Sequence, residues 1–193
     1  MVLDTFSETS LLSISRKDGT DRSFQILIET IETSGGEKGF ESLSTIAGGR
    51  LKKFNPQEDV EVSMEGYAVE VGTDDGATGL GFYDLIHSAD TSQPLSIPVD
   101  RIRDEFRLVI MATDNPDQTS ASAVTTSTDK AMRWTFQNGH FSNAEASFSD
   151  KVWKFTITFK CPPFNKSGTA NVTYESTDGT ADKVLPALGE YAT

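Results

Sequence analysis

The sequence is poor in the residues from which most catalytic and metal sites are built. It holds one cysteine, Cys161, and two histidines, His87 and His140. A single cysteine excludes an intrachain disulfide, and beside Pro162 it reads as a small buried filler rather than a nucleophile. The two histidines form neither HxxxH nor HExxH, so no zinc set is present and each reads as a surface or packing residue. There is no GxSxG, no CxxC and no phosphate-binding GxxxxGK. The glycines of GTDDGATGLG lack the lysine and the preceding buried strand that a phosphate would need. Asp74-Asp75-Gly76 lacks the alternating aspartates and closing glutamate of a calcium loop. No catalytic residue, cofactor or metal ligand is therefore assigned.

Positive charge is scarce as well: 17 Lys and Arg stand against 29 Asp and Glu, a formal net charge of −12. That balance excludes a protein that coats duplex DNA or is drawn to an anionic membrane, because both need clustered Lys and Arg. No apolar run approaches the 18 or so residues of a membrane-spanning helix, and MVLDTFSETS has neither a basic n-region nor an apolar h-region. The expectation is a cytoplasm-like compartment, unless the chain is carried out as part of an assembly. The Asn171-Val172-Thr173 sequon matters only where glycosylation occurs.

What is present is β-pattern. In FSDKVWKFTITFKCPP, Trp153, Phe155, Ile157 and Phe159 alternate with Lys154, Thr156, Thr158 and Lys160, which is a strand with one apolar face. Pro162-Pro163 ends it, since proline has no N–H for a sheet ladder. The 193 residues fit one domain, or one domain with long arms, with residues 1–10 as an N-terminal arm, 11–165 as the β-patterned body and 166–193 as a C-terminal extension. Within that body, residues 11–16 and 22–32 read as a hairpin. Residues 58–71 read as a long strand whose apolar parity switches at Gly66, the mark of a bulge or bend. Residues 80–88 carry Phe82, Leu85 and Ile86 at helical spacing and predict a short helix, and residues 105–113 predict a strand. In the last third, 131–137 (with Met132, Trp134 and Phe136 on one face) turns at Asn138-Gly139, the strongest short hairpin signal in the chain. Residues 140–148 return and the strand of Trp153 closes a three-stranded meander. A short strand is expected at 171–174, and the end from 178 onward reads as a second arm. Trp134, Phe136, Trp153, Phe155, Ile157 and Phe159 are the expected core.

Two stretches stand out as surfaces. Asp59, Glu61 and Glu65, with Ser63 between them, form a row on one strand face. Carboxylates at i and i+2 lie about 7 Å apart, within glycosidase range, but a row at uniform period reads better as a solvated face. Residues 33–57, TSGGEKGFESLSTIAGGRLKKFNPQ, read as a long loop with Phe40, Leu43, Ile46, Leu51 and Phe54 as anchors. Loops of this length in compact domains are usually functional or disordered, and this one looks built to dock.

The order of hairpin, long loop, long strand, short helix, strand and meander resembles the tail tube proteins of tailed bacterial and archaeal viruses and their relatives in contractile injection systems. The phrases that carry the resemblance are IAGGRLKKFNPQEDVEVSMEGYAVE (residues 46–70) and NAEASFSDKVWKFTITFKCPPFN (residues 143–165). It implies a mainly β fold: an antiparallel β-sandwich or partial barrel with one short flanking helix and a long inter-strand loop. It also implies a structural, non-enzymatic subunit of a virion tail, assembled in a host cytoplasm into stacked homohexameric rings that form a channel for genome delivery. Tape-measure, baseplate, tail terminator and sheath proteins would be its other partners, with double-stranded DNA passing through the lumen without specific binding. Asp59, Glu61, Ser63 and Glu65 would line that lumen. Phe40, Leu43, Ile46, Arg50, Leu51, Lys52, Lys53 and Phe54 would make the ring-to-ring contacts. A second expectation is a monomeric or trimeric β-sandwich binding module, such as a virion decoration or carbohydrate-binding protein, with Trp134 and Trp153 as its aromatic platform. A third, a carboxylate hydrolase, has only the acidic row behind it.

Overall fold

The computed structural model describes residues 9–17, 22–24, 26–68, 105–123, 125, 129–180, 184–189 and 191. Ten strands follow in order: β1 (Thr9–Arg16), β2 (Arg22–Phe24), β3 (Ile26–Gly35), β4 (Phe40–Ser44), β5 (Arg50–Phe54), β6 (Val60–Ala68), β7 (Phe106–Thr113), β8 (Lys130–Ser149), β9 (Val152–Cys161) and β10 (Val172–Asp178). The protein is mainly β and its strand pairs are antiparallel. The predicted helix at 80–88 lies outside the described residues, as do Asp74, Asp75 and His87.

The strands form two layers joined by one bent strand, and among the described residues the sheet does not close into a barrel. One layer runs β2-β1-β7-β8-β10 and the other β8-β9-β6-β3. β8 belongs to both because its first half pairs β7 and β10 while its second half, from His140, pairs β9. Between the layers Leu12, Ile14, Phe106, Leu108, Ile110 and Phe136 meet Val62, Met64, Phe141, Phe155, Ile157, Phe159 and Cys161. The alternation in β9 is the cause: Phe155, Ile157 and Phe159 are buried while Lys154, Thr156, Thr158 and Lys160 stay half-exposed. Each such buried side chain contributes roughly 1.5–3 kcal/mol before chain entropy is subtracted. Trp134 is half-buried against this core, and the side chain of Trp153 is outside the described residues.

Several elements differ from the sequence reading, each for a local reason. Asn138-Gly139 is a bend inside β8 and not a hairpin turn. A type I′ turn needs two successive residues at positive φ, and only Asn138 adopts it, at 55°. The true two-residue turn is Asp150-Lys151, at 53° and 66°, so the meander has two strands. The first hairpin is short: β1 pairs β2 over Leu12 to Ile14 only, and β3 crosses to the other layer to pair β6. As far as Gly66, β6 alternates as expected, with Val62, Met64 and Gly66 buried in turn; the side chains of Tyr67, Val69 and Val71, on which the switch was read, lie outside the described residues. A register irregularity does lie beside it, where β3 shifts between Ile28, opposite Gly66, and Thr30, opposite Glu65.

The outer face of β1, β7 and β8 is covered too. Leu11, Val109, Met111, Ala121, Ala131 and Leu185 form a second, smaller cluster with Leu188 against it, which is why β7 is buried on both faces. The cover is the segment after β7 together with the chain's last residues. Leu185 N donates to Thr125 Oγ1 at 3.0 Å, Leu188 N to Ser122 O at 2.8 Å and Arg107 Nη1 to Gly189 O at 2.8 Å. The expected second arm is thus packed at Leu185 and Tyr191, and the expected short strand is the seven-residue β10. Tyr191 also holds the bend in β8: its hydroxyl accepts from Asn138 N and donates to Asn138 Oδ1, both at 2.8 Å. Asn138 Nδ2 donates to Asn171 Oδ1 at 2.6 Å, and Asn171, the buried sequon asparagine, donates to Pro162 O at 2.8 Å.

Candidate assembly surfaces

The second half of β8 pairs β9 along one edge, and among the described residues no strand pairs its other edge beyond Gly139. At the far side of the same layer β3 pairs β6 along one edge, and no described strand pairs the other. Among the described residues the four-stranded layer therefore has two edges without a strand partner, of about nine residues on β8 and ten on β3. Because every pair in it is antiparallel, β3 and β9 run one way while β6 and the second half of β8 run the other.

The face of this layer that points away from the core carries Glu61, Ser63 and Glu65, half-exposed, with Asp59 exposed just before β6. The row is not bare carboxylate, because β9 lays two lysines beside it. Lys160 Nζ lies 2.7 Å from Glu61, and Lys154 Nζ lies 2.8 Å from Glu29 and 3.0 Å from Glu65. The hydrogen bonds that Lys154 donates to Glu29 and then to Glu65 push its pKa well above the usual lysine range. Exposed pairs of this kind contribute little to stability. Their consequence is charge balance: with Glu32 and Glu145 placed on the same face by register, five carboxylates stand against two ammonium groups, a net −3. Each lysine opposite the row was legible in β9, but only the pairing of β9 with β6 brings them together.

Residues 33–57, expected as a loop, are the end of β3 followed by a β4–β5 hairpin that stands off the sandwich as its own two-stranded sheet. Every residue of both strands is exposed. Thr45 N donates to Gly49 O at 2.8 Å and Gly48 N to Thr45 O at 3.0 Å, with Gly48 at φ 79°. This is a type I turn closed by a glycine in the left-handed region. Phe40 and Phe54 sit directly opposite, ring centroids 6.3 Å apart and 61° between planes. Lys52 lies over Phe40 at 5.0 Å and Lys38 over Phe54 at 5.3 Å. Leu43 and Leu51 face each other on the opposite side, and Ile46 at the tip is fully exposed, at 109%. At the base Asn55 N donates to Gly39 O, Glu58 N to Glu37 O and Gln57 Nε2 to Gly36 O, at 2.7–3.1 Å, so the hairpin is clamped where it leaves the sheet. Lys38, Arg50, Lys52 and Lys53 against Glu37 and Glu41 give it a net +2, on a chain that totals −12. An isolated two-stranded hairpin is marginal in water, and this one keeps five large apolar side chains in solvent.

The opposite end of the four-stranded layer carries a second apolar tip that sequence patterning alone did not mark. Phe148 is 60% exposed and Val152 43%, on either side of the Asp150-Lys151 turn. Trp134 tilts at 48° against Tyr174, centroids 5.1 Å apart, and packs on the core instead of presenting a flat platform. His140 is exposed, and no group of three or more His, Cys, Asp or Glu side chains among the described residues could hold a metal ion. Cys161 is fully buried, and burial, with the Asp59 carboxylate second, pushes its thiol up to about 12. The folded value lies above the ordinary 9.0, so the stabilisation from keeping the thiol protonated is complete below pH 9 and is lost as pH rises toward 12. At pH 8 a thiol-alkylating reagent should leave the native protein unmodified and label it completely in denaturant; rapid native labelling would contradict this burial.

No protein-family model matches the sequence, and no curated protein matches it. Among solved structures the chain is similar to one from the sheath–tube complex of an extracellular contractile injection system in its extended state. The identity there is 14%, over 86% of this chain and 88% of that one, at a TM-score of 0.43. It is similar to one from the tube-terminating cap of the anti-feeding prophage, 12% identical over 92% and 95%, at 0.43. A third is from the sheath/tube terminator of an extracellular contractile injection system in its extended state, 11% identical over 90% and 99%, at 0.45.

Proposed function

We propose that this chain is a structural subunit that joins copies of itself edge to edge into a closed ring, and that the rings stack into the hollow tube of a tail or injection particle. The observation that carries the reading is the pair of edges on one four-stranded antiparallel layer that no described strand covers. β3 and the second half of β8 run in opposite directions, so β3 of one copy set against β8 of the next continues the antiparallel alternation. The contact uses different patches on the two copies, and such a head-to-tail contact forms a ring when its rotation closes. Closure also removes two long edges that would otherwise template aggregation.

The other layer and its cover fill one side of this sheet, and the bulkier side fits at larger radius. The polar face then lines the lumen, which places Glu61, Ser63 and Glu65, with Asp59 at the rim, on the wall. A net −3 per copy repels the phosphates of passing DNA instead of binding them. The number of copies is taken as six on the resemblance, with genome delivery as the role. Tube, sheath and terminator proteins are the expected neighbours, and the subunit has no active site. The β4–β5 hairpin carries the contact between rings.

Successive strand N–H groups point to opposite edges, so of Glu145 and Ala146 one donates toward β9 and the other toward the open edge. Proline at the inward position should destabilise the monomer. Proline at the outward position should leave the fold intact by circular dichroism and stop ring formation in negative-stain images. If the outward-proline variant keeps its fold and still forms rings, the edge-to-edge reading fails.

A further inference from the structure

β8 carries one extra residue where it passes from one layer to the other. Against β7 its register sets Leu108 opposite Phe136 and Phe106 opposite Gly139, so Gln137 and Asn138 together stand opposite Arg107. This is a β-bulge, with Asn138 in the left-handed region at φ 55°. It decides parity. Phe141 lies an odd number of positions beyond Phe136 and would face the other way on an unbroken strand, yet both are buried in the core between the layers. A slip of one residue here would turn every later side chain of β8 to the other face. It would also exchange the N–H groups that reach β9 with those that point to the edge away from it.

One residue of β7 cannot serve two of β8, and the N–H groups of the bulge are met from elsewhere. Gln137 N donates to Asn171 O at 2.8 Å, and Asn138 N donates to the Tyr191 hydroxyl at 2.8 Å. That hydroxyl donates in turn to Asn138 Oδ1, and Asn138 Nδ2 donates to Asn171 Oδ1. Arg107, the residue opposite the bulge, holds the same segment, because its guanidinium lies over the Tyr191 ring and donates to Gly189 O. Hydrophobic burial is non-directional and fixes only which face Phe141 takes. The paired hydrogen bonds of Tyr191 fix where the extra residue sits, and with it where the second half of β8 begins. We infer that Tyr191 is a positioning residue for assembly: docked on the bulge, it latches the second half of β8 in the register that a neighbouring copy pairs with. The inference rests on the edge-to-edge reading above and names the device that holds one of its two edges.

The test uses the full-length chain with Tyr191→Phe, which keeps the ring over Arg107 and removes only the hydroxyl. Asn138→Gly, which keeps the freedom for a positive φ and removes the carboxamide, serves in its place should Tyr191→Phe lose its circular-dichroism spectrum. In the single chain the amides of residues 137–141 should exchange about tenfold faster than in the unmodified protein, while those of β9 keep their rates. On assembly the unmodified protein should give rings of one copy number by native mass spectrometry, and the variant should give open arcs and rings of mixed copy number. A merely structural role would speed exchange in both segments together and leave the rings uniform, and that result overturns the inference. Unchanged exchange at 137–141 overturns the latch itself. Faster exchange there with uniform rings overturns its part in assembly and leaves the edge-to-edge reading in place. Unmodified protein that forms no rings overturns that reading and the assembly role with it, and the exchange rates still decide the latch.

Discussion

Replacing Gly139 with alanine should lower unfolding stability by about 3 kcal/mol, near the upper end of what overpacking a core costs. Gly139 sits at the bend of β8, where the strand leaves one layer for the other. A methyl group there would fall 2.5 Å from Phe159 Cε1, closer still to Cζ, and 2.7 Å from the carbonyl oxygen of Lys160. Phe159 has no room to yield. It is fully buried and meets Phe141 edge to face at 5.2 Å, and Phe141 meets Phe106 in the same way at 5.1 Å. A glycine-to-alanine change in open space usually stabilises by about 0.4–1 kcal/mol through the unfolded state, so the sign itself distinguishes the two cases. Adding Phe159→Leu should recover part of the loss, a coupling that a double-mutant cycle reads directly. A urea midpoint for Gly139→Ala equal to or above that of the unmodified protein would refute the close approach.

The second large effect is asymmetric in an unexpected direction. Arg133 has a fully buried side chain, and its Nε and Nη2 both donate to Glu175 Oε2, at 2.9 and 2.6 Å. Glu175, its register neighbour on β10, is about one-third exposed. Removing the glutamate leaves a buried guanidinium without its counter-charge, a loss of about 3–5 kcal/mol. Removing the arginine as Arg133→Met keeps most of the packing volume and leaves a carboxylate that water can reach, a loss of about 1 kcal/mol. Glu175→Ala should therefore be the more damaging substitution although Glu175 is the more exposed residue. Urea unfolding of the two variants decides it, and an Arg133→Met loss exceeding that of Glu175→Ala would show that water already solvates the guanidinium.

What the sequence disclosed depended on whether a strand had one wet face. β9 and the first part of β6 alternate because one side meets the core and the other meets solvent, and their buried residues follow from period two alone. β7 is buried on both sides, yet its bounds were legible from its apolar density. The β4–β5 hairpin was hidden for the converse reason: with both faces in solvent, FESLS and RLKKF have no reason to alternate. The local signal was the Gly48-Gly49 pair between them, of which Gly48 takes the positive φ that closes the turn. Asn138-Gly139 misled because the dipeptide states only that a left-handed residue is affordable. Whether the chain then reverses or bends depends on Phe159 lying across Gly139 and on Tyr191 bonding Asn138, both distant in sequence. The cover made by residues 184–189 and Tyr191 has no period to find, since it is held by single contacts such as Arg107 over the Tyr191 ring at 5.6 Å. The surfaces for assembly were half legible. The apolar anchors of the hairpin and the acidic row stand in the sequence, but the lysines beside that row and the exposure of Phe148 are products of strand pairing.

Amide hydrogen exchange on assembled particles, set against the dissociated chain, tests edge-to-edge joining most directly. Open edges exchange freely and paired ones are protected. Residues 26–35 of β3 and residues 141–149 of β8 should slow together on assembly, because each edge supplies the other's partner. Assembled particles in which either edge exchanges as fast as in the single chain would contradict the account.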